Sequence, residues 1–472
     1  MAKTKIVPTT APNTQTSNTT PSKTLIFDNG AHTIKAGFST PGNASQPSHC
    51  SLIANCIARS QRDRITYIGA DLDQCGDFGE LQIRRPVEKG YIVNWEGEKA
   101  IWERTIFDKR SELLCNPRDV NLILTEAASA PTALQRNADE IVFEEFEFAS
   151  LWRTVAPGLN AFAAGALGER GAHAGAAVET LLVVDAGHSH TTITPLFHGQ
   201  PLQQACRRLD LGGKLLTNHL KDQLSRTMDM HREEWICQEI KEDVCYVSAD
   251  SGDFARSLER VWRGGQKDPR EVDASIVVDY VLPDYEQLKR GFARPHDPSK
   301  GAKMRRLGIG GASEMVLPVG NERFTVPEVV FTPSDIGMQQ EGIAGTIMQS
   351  LAALPEGLWQ SFLANILVVG GTSKLPGFVE RLEADLRSKI DDSYLVRVAR
   401  AEDPLKNVWL GGAQIAQNED LLKSLVVTKA EYFEHGDLWT RRRFAGKIAR
   451  RNTFSLELPR SAQHLYSPGE TS

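Results

Sequence analysis

The sequence predicts an α/β fold in which two duplicated lobes enclose a cleft, and three observations carry this prediction. A chain of 472 residues exceeds what one hydrophobic core usually organises, so we expect at least two lobes. Two short apolar runs each end in an aspartate, one further residue and a glycine, at Asp28–Gly30 and at Asp185–Gly187. A third apolar run ends in Gly370-Gly371-Thr372, so three tight turns are expected to face one cleft.

Each of these turns follows a predicted strand. The first apolar run begins at Thr24 and leads into Asp28-Asn29-Gly30, and residues 181–184 lead into Asp185-Ala186-Gly187 in the same way. A short apolar run followed by a glycine turn is typical of a buried strand that ends in a tight turn. Residues 366–369 form the third run, and the glycines after it would let the backbone approach a ligand closely.

Two further stretches carry a structural prediction. Leu215, Leu216, Leu220 and Leu224 are spaced for one buried face of a helix, and His219 is expected to be a histidine of a helix face and not a ligand. The Ala/Gly-rich stretch 161–177 is expected to be a surface insertion or a linker.

The composition limits which classes of protein this chain can belong to. It is 41% hydrophobic and 24% charged with a net charge of −6, which is typical of globular proteins and not of a bulk polyanion binder. The sequence contains no apolar run of about 18 residues and no signal-peptide core, so we expect neither membrane insertion nor secretion. Seven cysteines without C-x-x-C spacing predict reduced thiols instead of disulfides or a zinc site.

The chain is predicted to contain four segments. The first is a tail rich in Thr, Pro, Asn and Ser, the next two are the lobes, and the last is a C-terminal extension. In chain order they are a disordered tail at 1–23, a first lobe at 24–176 with a reduced small subdomain at about 55–90, a second lobe at 177–423 with an insertion at about 248–322, and a C-terminal extension at 424–472.

A strand followed by Asp-x-Gly has a chemistry that suits phosphate. The backbone amides of such a turn bind phosphate oxygens, and its carboxylate holds the water shell of an accompanying cation. A single turn of this kind is more often an ordinary hairpin or β-turn. Two copies with a Gly-Gly-Thr turn leave nucleotide binding and a purely structural role both open.

Several blocks of the sequence resemble the actin family in order and spacing. They include Lys35-Ala36-Gly37-Phe38, Leu124-Thr125-Glu126-Ala127, Arg208-Leu209-Asp210-Leu211-Gly212-Gly213 and Val408-Trp409-Leu410-Gly411-Gly412, within a likeness that extends over about residues 24–417. The resemblance implies the actin fold, which hexokinases and chaperone ATPases share, with four subdomains around a nucleotide cleft.

The same resemblance implies which residues would contact a nucleotide. They lie in the three turns, on the strand after the first turn, and on the adenine and ribose side. They are Asp28, Asn29, Gly30, Lys35, Asp185, Gly187, Lys241, Glu242, Gly370, Gly371 and Thr372. No catalytic residue and no metal ligand is assigned. ATP is expected as a structural ligand that is not hydrolysed, with a vacant cleft as the alternative.

The chain departs from the actin pattern where actin hydrolyses ATP. The position of the water-orienting glutamine falls at about Ala156, and that of a histidine after the second turn falls on Thr192. His188 replaces an acid beside Gly187, and Ala31-His32 replaces Ser-Gly in the first turn. Loss of these positioning and charge-stabilising groups predicts slow or absent turnover, so we expect no enzyme.

Three histidines fall in or beside the two Asp-x-Gly turns. His32, His188 and His190 could be a metal or anion cluster, but they lack an evident carboxylate or cysteine partner. Surface or cleft-filling histidines are therefore the expected interpretation.

Other blocks resemble a nuclear, fungal-type class of actin-related proteins. They include Gly213-Lys214-Leu215-Leu216-Thr217-Asn218-His219-Leu220-Lys221, Asp279-Tyr280-Val281-Leu282-Pro283-Asp284-Tyr285 and Val426-Val427-Thr428-Lys429-Ala430-Glu431-Tyr432. This resemblance implies a scaffold subunit of an SWR-type chromatin remodeller, which exchanges a variant H2-type histone into nucleosomes and affects transcription and silencing. The alternative is an ATP-binding or ATP-hydrolysing protein of the actin superfamily, cytoskeletal or kinase-like.

The resemblance also implies partners and a location. The expected partners are a remodeller ATPase subunit, a zinc-finger HIT-type subunit and the histones of the nucleosome, in the nucleus, with the cytoplasm as a second location. By analogy, the regions 248–322 and 424–472 are the candidate partner surfaces. Arg441-Arg442-Arg443 belongs to a basic tail that is either solvated or in non-specific contact with DNA. Only Ala58–Thr66 remains for actin's intersubunit loop, so we do not expect the protein to form a filament. Contact with a membrane is not expected either.

Overall fold

The computed structural model describes residues 21, 23–39, 46–62, 64–163, 177–260, 273, 275–296 and 315–445. The predicted disordered tail, apart from Pro21 and Lys23, lies outside the described residues. So do residues 164–176 of the Ala/Gly-rich stretch, much of the predicted insertion, and the C-terminal extension after residue 445.

The first lobe is built on a six-stranded mixed sheet with strand order β20-β10-β9-β1-β2-β3. Its central strand β1 pairs antiparallel with β2 and parallel with β9. Residues 24–28 of β1 are all buried, which explains the uninterrupted apolar run in the sequence. The strands are β1 (Thr24–Asn29), β2 (Thr33–Ser39), β3 (Ser51–Ala54), β9 (Asn121–Glu126), β10 (Ser150–Val155) and β20 (Val427–Thr428).

The second lobe repeats this arrangement. Its central strand β11 pairs antiparallel with β12 and parallel with β18, in the strand order β13-β12-β11-β18-β19, with β14 also paired to β12. The strands are β11 (Thr180–Ala186), β12 (Thr191–Phe197), β13 (Gln200–Pro201), β14 (Arg207–Leu209), β18 (Ile366–Val369) and β19 (Val398–Arg400). The predicted duplication of a strand that ends in an aspartate turn is confirmed, and in each lobe an antiparallel strand follows the turn.

Three small sheets complete the strands. One sheet and one hairpin lie in the region of the predicted small subdomain, and the third lies in the predicted insertion. They comprise β4 (Ile57–Arg59), β5 (Thr66–Ile68) and β6 (Gln82–Arg84), then β7 (Val87–Glu88) and β8 (Tyr91–Ile92), then β15 (Val278–Val281), β16 (Phe292–Pro295) and β17 (Val316–Val319).

Helices pack on both large sheets. In the predicted helix, now α4, Leu216, Leu220 and Leu224 are buried as their spacing predicts, whereas Leu215 is only partly buried. The helices are α1 (Trp95–Phe107), α2 (Thr132–Glu140), α3 (Ala156–Leu159), α4 (Gly213–Leu224), α5 (Glu234–Val244), α6 (Ser251–Arg260), α7 (Glu322–Glu328), α8 (Ile343–Leu351), α9 (Trp359–Leu363), α10 (Phe378–Arg387), α11 (Asn407–Gln417), α12 (Glu419–Leu425) and α13 (Lys429–Ala445).

The two lobes share a hydrophobic core beneath the cleft. Ile26 from the first sheet and Val183 from the second belong to one buried cluster with Trp409 of α11. Gly37 allows this contact, because a Cβ there would lie 2.7 Å from the Trp409 ring. The C-terminal part of the chain therefore returns to the first lobe, where β20 pairs with β10. The predicted domain boundaries stay a prediction.

One expectation about the Ala/Gly-rich stretch needs correction. Ala161, Phe162 and Ala163 are buried, with exposed fractions of 0%, 5% and 2%, so the beginning of the stretch belongs to the core. Phe162 contacts Gly199, where a Cβ would approach its ring to 2.8 Å. Small residues here reflect close packing and not a surface linker.

Two findings concern features of the whole chain. All seven cysteines lie in the described part and are free thiols, as predicted. In the same part of the chain, none of the helices has the length and apolar character needed to span a membrane.

Candidate functional site

A cavity of about 700 Å³ lies between the two lobes. Each of the strands β1, β11 and β18 ends at the side of its own sheet that faces the cleft, so the turns that follow these strands open into the cavity. All the residues predicted to contact a nucleotide line this cavity, from Asp28, Asn29 and Gly30 to Gly370, Gly371 and Thr372. The predicted residues therefore lie together around one cavity, and the binding of a ligand by them stays a prediction.

The first turn is held by side chains of its own lobe. Asp28 accepts a hydrogen bond at Oδ1 from Thr125 Oγ1 at 2.9 Å, and Asp28 Oδ2 lies 3.3 Å from Lys35 Nζ. Thr125 Oγ1 also accepts from the backbone N–H of Asn29 at 3.0 Å. Gly30 is required here, because a Cβ would lie 2.7 Å from the carbonyl oxygen of Thr33. Both oxygens of the Asp28 carboxylate are thus engaged within the protein.

The second and third turns abut each other. Thr372 donates from Oγ1 to the carbonyl of Gly187 at 3.0 Å. Gly370 has φ +89°, and a Cβ there would lie 2.8 Å from Asp185 Oδ1, so only glycine suits this position. Burial, and then the charge of Asp28, raise the pKa of Asp185 to about 6.

Lys241 and Glu242 reach the cavity from α5, and they differ in how far they are engaged. The ammonium of Lys241 is buried and donates to the carbonyl of Gly213 at 3.1 Å and to Thr217 Oγ1 at 2.8 Å. Burial lowers its pKa. Glu242 is exposed and accepts from Gln238 Nε2 at 3.0 Å.

The histidines of the two turns meet across the cavity. The ring centroids of His32 and His188 are 4.8 Å apart, and Gln238 Nε2 lies 2.9 Å from His32 Nε2. His190 packs against Gly90, where a Cβ would lie 2.3 Å from the ring. All three histidines line the cavity, and His32 and His188 lie in contact, as their positions in the two Asp-x-Gly turns suggested. Whether they bind a ligand stays a prediction.

Other contacts close the mouth and the rear of the cleft. Phe78 of the first lobe stacks on Trp235 of the second, with ring centroids 4.6 Å apart, and the backbone N–H of Glu80 donates to Glu233 at 3.4 Å. Arg208 reaches across to the carbonyl of Lys89 at 2.9 Å. The sequence had not singled out Phe78 or Trp235, because aromatic residues far apart in the chain give no pairing signal.

Apolar side chains form part of the cavity wall at the start of α3. Ala156 and Pro157 line the cavity beside Gly187 and Thr192. A methyl group and a pyrrolidine ring cannot hold a water molecule in line with a phosphate, which is what a phosphoryl-transfer site requires.

Comparison with known proteins agrees with this architecture. A family model described as Actin matches residues 19–445. The chain is 49% identical to "Actin-like protein arp6" of Emericella nidulans, over 91% of this chain and 96% of the relative. It is 46% identical to "Actin-related protein 6" of Neurospora crassa, over 91% and 95%, and 35% identical to the Drosophila melanogaster protein of that name, over 87% and 97%.

The fold, the three turns around the cleft and these matches define the class of protein: the chain belongs to the actin family and has the actin fold. Within that family, its relatives with 46–49% identity are the fungal proteins named actin-related protein 6 or arp6. It is accordingly an actin-related protein of that group.

Proposed function

We propose that this protein is a non-catalytic scaffold subunit of a nuclear SWR-type chromatin remodeller, which exchanges a variant H2-type histone into nucleosomes and so affects transcription and silencing. The observation that carries the non-catalytic part is Ala156, which lines the cavity where an actin ATPase needs a water-orienting amide. The likeness to proteins named actin-related protein 6 supports the choice of complex.

A nucleotide suits the cavity as a structural ligand. The three turns bring backbone groups and polar side chains to one cavity of about 700 Å³, with Asn29, Lys35 and Thr372 among its lining residues. Lys35 would balance the charge of the phosphates, Lys241 and Glu242 would lie on the adenine and ribose side, and Gly371 would face the nucleoside. When bound, the nucleotide would add a wedge that contacts both lobes, and no hydrolytic step is assigned to it.

The partner surface is proposed to include α13 in the C-terminal extension. Tyr432 anchors this helix to the first lobe, because its hydroxyl donates to Glu144 at 2.9 Å and its ring stacks on Phe143. Phe433 lies on the same helical segment and Leu438 lies after a break in the helix at Gly436, where φ is +75°; their side chains are 59% and 60% exposed. Large apolar side chains on an anchored helix are suited to contact another subunit. We propose a remodeller ATPase subunit, a zinc-finger HIT-type subunit and histones as the partners.

The short hairpin of β4 and β5 supports a monomer within a complex over a filament. These strands pair directly, from Ile57↔Ile68 to Arg59↔Thr66, which leaves only residues 60–65 between them. That connection is too short to reach into a neighbouring subunit in the way that actin's intersubunit loop does.

The experiment that tests this proposal is affinity purification of the tagged full-length chain from nuclear extract of its own cells. Mass spectrometry should identify a remodeller ATPase and variant histones, and phosphate release by the purified chain should equal the buffer background. The alternative function is an ATP-hydrolysing member of the superfamily, and a partner-free monomer that releases phosphate at a steady rate would establish it instead. A Phe433→Ser/Leu438→Ser chain should lose partners while it keeps its melting temperature.

A further inference from the structure

The small sheet of the first lobe, formed by β4, β5 and β6, packs on both of its faces. Ile57 and Ile68 lie directly opposite each other in the register, so they share one face, and this face packs against the core of the first lobe. Ala58, Tyr67 and Ile83 share the other face and belong to a separate hydrophobic cluster. Each of the three strands has only three residues, and strands this short depend on such packing for their stability.

The separate cluster, which we call the small core, is completed by a side chain of the other lobe. Its buried members are Cys56, Ala58, Leu72, Cys75 and Leu81. Trp235 of α5 packs against them, and in the described part of the chain it is the member of this cluster that the second lobe supplies. The smaller a core is, the smaller the share of its surface that folding buries. Loss of one large aromatic side chain from so small a core should therefore weigh heavily.

The Trp235 ring is held by its own helix and by the first lobe. Its Nε1 donates to Glu239 Oε1 at 3.1 Å, one turn later in α5. Phe78 of the first lobe stacks on it with ring centroids 4.6 Å apart and an angle of 20° between the rings. Phe78 also lies 6.3 Å from the ring of Tyr285 in the second lobe, and a Cβ at Gly79 would lie 3.5 Å from that ring. The segment that carries Phe78 thus contacts two aromatic rings of the other lobe.

The segment that carries Phe78 is tied to the small sheet. Asp77 accepts the backbone N–H of Gly79 at Oδ1, at 2.8 Å, and the guanidinium of Arg62 at Oδ2, also at 2.8 Å. Arg62 belongs to the turn between β4 and β5. When the two lobes separate at the mouth of the cleft, Phe78 and the small sheet therefore leave Trp235 together.

We infer that the mouth of the cleft opens only together with local unfolding of the small sheet. Separation of Phe78 from Trp235 uncovers the small core, and the three short strands then lose the packing on one of their faces. The open state is therefore partly unfolded, and it is less populated than a hinge motion between two rigid lobes would make it. The protein keeps the mouth of its cleft closed by its own contacts, whether or not the cleft takes a nucleotide.

Cysteines of the small core can report its exposure. Cys56 and Cys75 are free thiols with exposed fractions of 1% and 9%. Burial raises the pKa of the Cys56 thiol, and a thiol is alkylated as the thiolate, so alkylation of Cys56 requires that the small core opens. Cys237 and Cys245 are buried in the core of the second lobe and provide internal references in the same molecule.

The test is pulsed labelling of the purified full-length chain with iodoacetamide under native conditions, followed by mass spectrometry of the peptides. Trp235→Ala should accelerate alkylation of Cys56 by about tenfold or more and leave alkylation of Cys237 unchanged. Trp235→Phe keeps a stacking ring and should restore most of the protection. Trp359→Ala is the matched control, because this partly buried tryptophan of the second lobe packs near Tyr394 and belongs to the large core of its own lobe.

Hydrogen exchange of the wild-type chain tests the coupling without any substitution, and it decides the question if Trp235→Ala does not fold. The backbone N–H of Glu80 donates to Glu233 across the mouth of the cleft at 3.4 Å. The N–H groups of Ser60 and Gly69 close the two ends of the β4–β5 ladder, each at 3.0 Å from its acceptor. If the mouth and the small sheet open together, all three N–H groups should exchange with the same opening free energy and the same dependence on low concentrations of urea.

Three results would overturn the inference in distinguishable ways. Unchanged alkylation of Cys56 in Trp235→Ala would mean that the small core keeps its packing without the second lobe. Equal acceleration of Cys56 and Cys237 would mean that α5 or the whole chain opens and not the small sheet alone. Exchange of the Glu80 N–H through a smaller opening than that of Ser60 would mean that the mouth opens as a rigid hinge. Copurification with a remodeller tests the scaffold function separately.

Discussion

Arg208 of the second lobe donates from Nη2 to the backbone carbonyl of Lys89 in the first lobe, at 2.9 Å. The same guanidinium lies over the Tyr91 ring, 5.6 Å from its centroid. Lys89 belongs to the turn between β7 and β8, and Gly90 in that turn packs against His190. The rear of the cleft is therefore closed by the protein's own groups.

Replacing Arg208 should loosen this closure. Arg208→Ala removes the hydrogen bond to Lys89, the cation–π contact with Tyr91 and an ion pair with Asp210 within its own lobe, and we expect a loss of about 1–2 kcal/mol in the free energy of unfolding. Hydrogen exchange should increase at residues 87–92. Arg207→Ala is the control, because Arg207 bonds only to carbonyls of its own lobe, at Gln204 and Cys206, in the described structure. Equal exchange in the two variants would refute the inter-lobe role.

The stacked pair at the mouth of the cleft should be energetically coupled. A double-mutant cycle with Phe78→Leu and Trp235→Leu is expected to give a coupling energy of about 0.5–1.5 kcal/mol in urea unfolding. The two residues belong to different lobes, so this coupling measures closure directly. Strict additivity of the two substitutions would mean that the stack contributes nothing in solution.

Glu98 should make stability depend on pH. This carboxyl is fully buried next to the first turn and accepts from Asn55 and Trp102. Burial raises its pKa from 4.5 to about 7. A raised pKa means that the folded state binds the proton more tightly than the unfolded state does. The free energy of unfolding is therefore highest below pH 4.5 and falls by about 3 kcal/mol as the pH rises through 7.

Glu98→Gln tests this pH dependence. The variant keeps a neutral side chain at every pH, so it should be more stable than wild type at pH 8 and about equal at pH 4.5. Denaturant unfolding at the two pH values measures the difference. Glu96→Gln on the same helix is the control, since Glu96 is exposed. A wild-type chain whose stability does not fall between these pH values would contradict the prediction.

The buried ion pair of the second lobe should tolerate loss of both partners better than loss of one. Arg381 donates two hydrogen bonds to Glu328, at 2.8 and 2.6 Å, and both side chains are almost fully buried. Arg381→Met strands the Glu328 carboxylate and should cost about 3–5 kcal/mol. Adding Glu328→Gln should recover a large part of this loss in thermal unfolding. A double variant no more stable than the single one would refute the argument.

Much of the fold could be predicted because the central strands are short apolar runs followed by glycine turns. Asp28 and Asp185 identified the duplication, and all the predicted contact residues line one cavity. The stack of Phe78 on Trp235 could not be predicted, since it depends on how closely the lobes approach. Residues 161–163 were misassigned because small residues suit both a linker and a tightly packed core, and the burial of these residues becomes visible only in the folded structure.

Pairing of β20 with β10 has a consequence for the timing of folding during synthesis. The ribosome synthesises β10, at residues 150–155, long before β20, at residues 427–428, which pairs with it and covers this edge of the first sheet. The first lobe therefore cannot complete its sheet on the ribosome until almost the whole described chain has emerged. Until then the edge of β10 presents unpaired backbone groups that can pair with other chains. Nascent or C-terminally truncated chains should accordingly depend on chaperones more than the finished protein does.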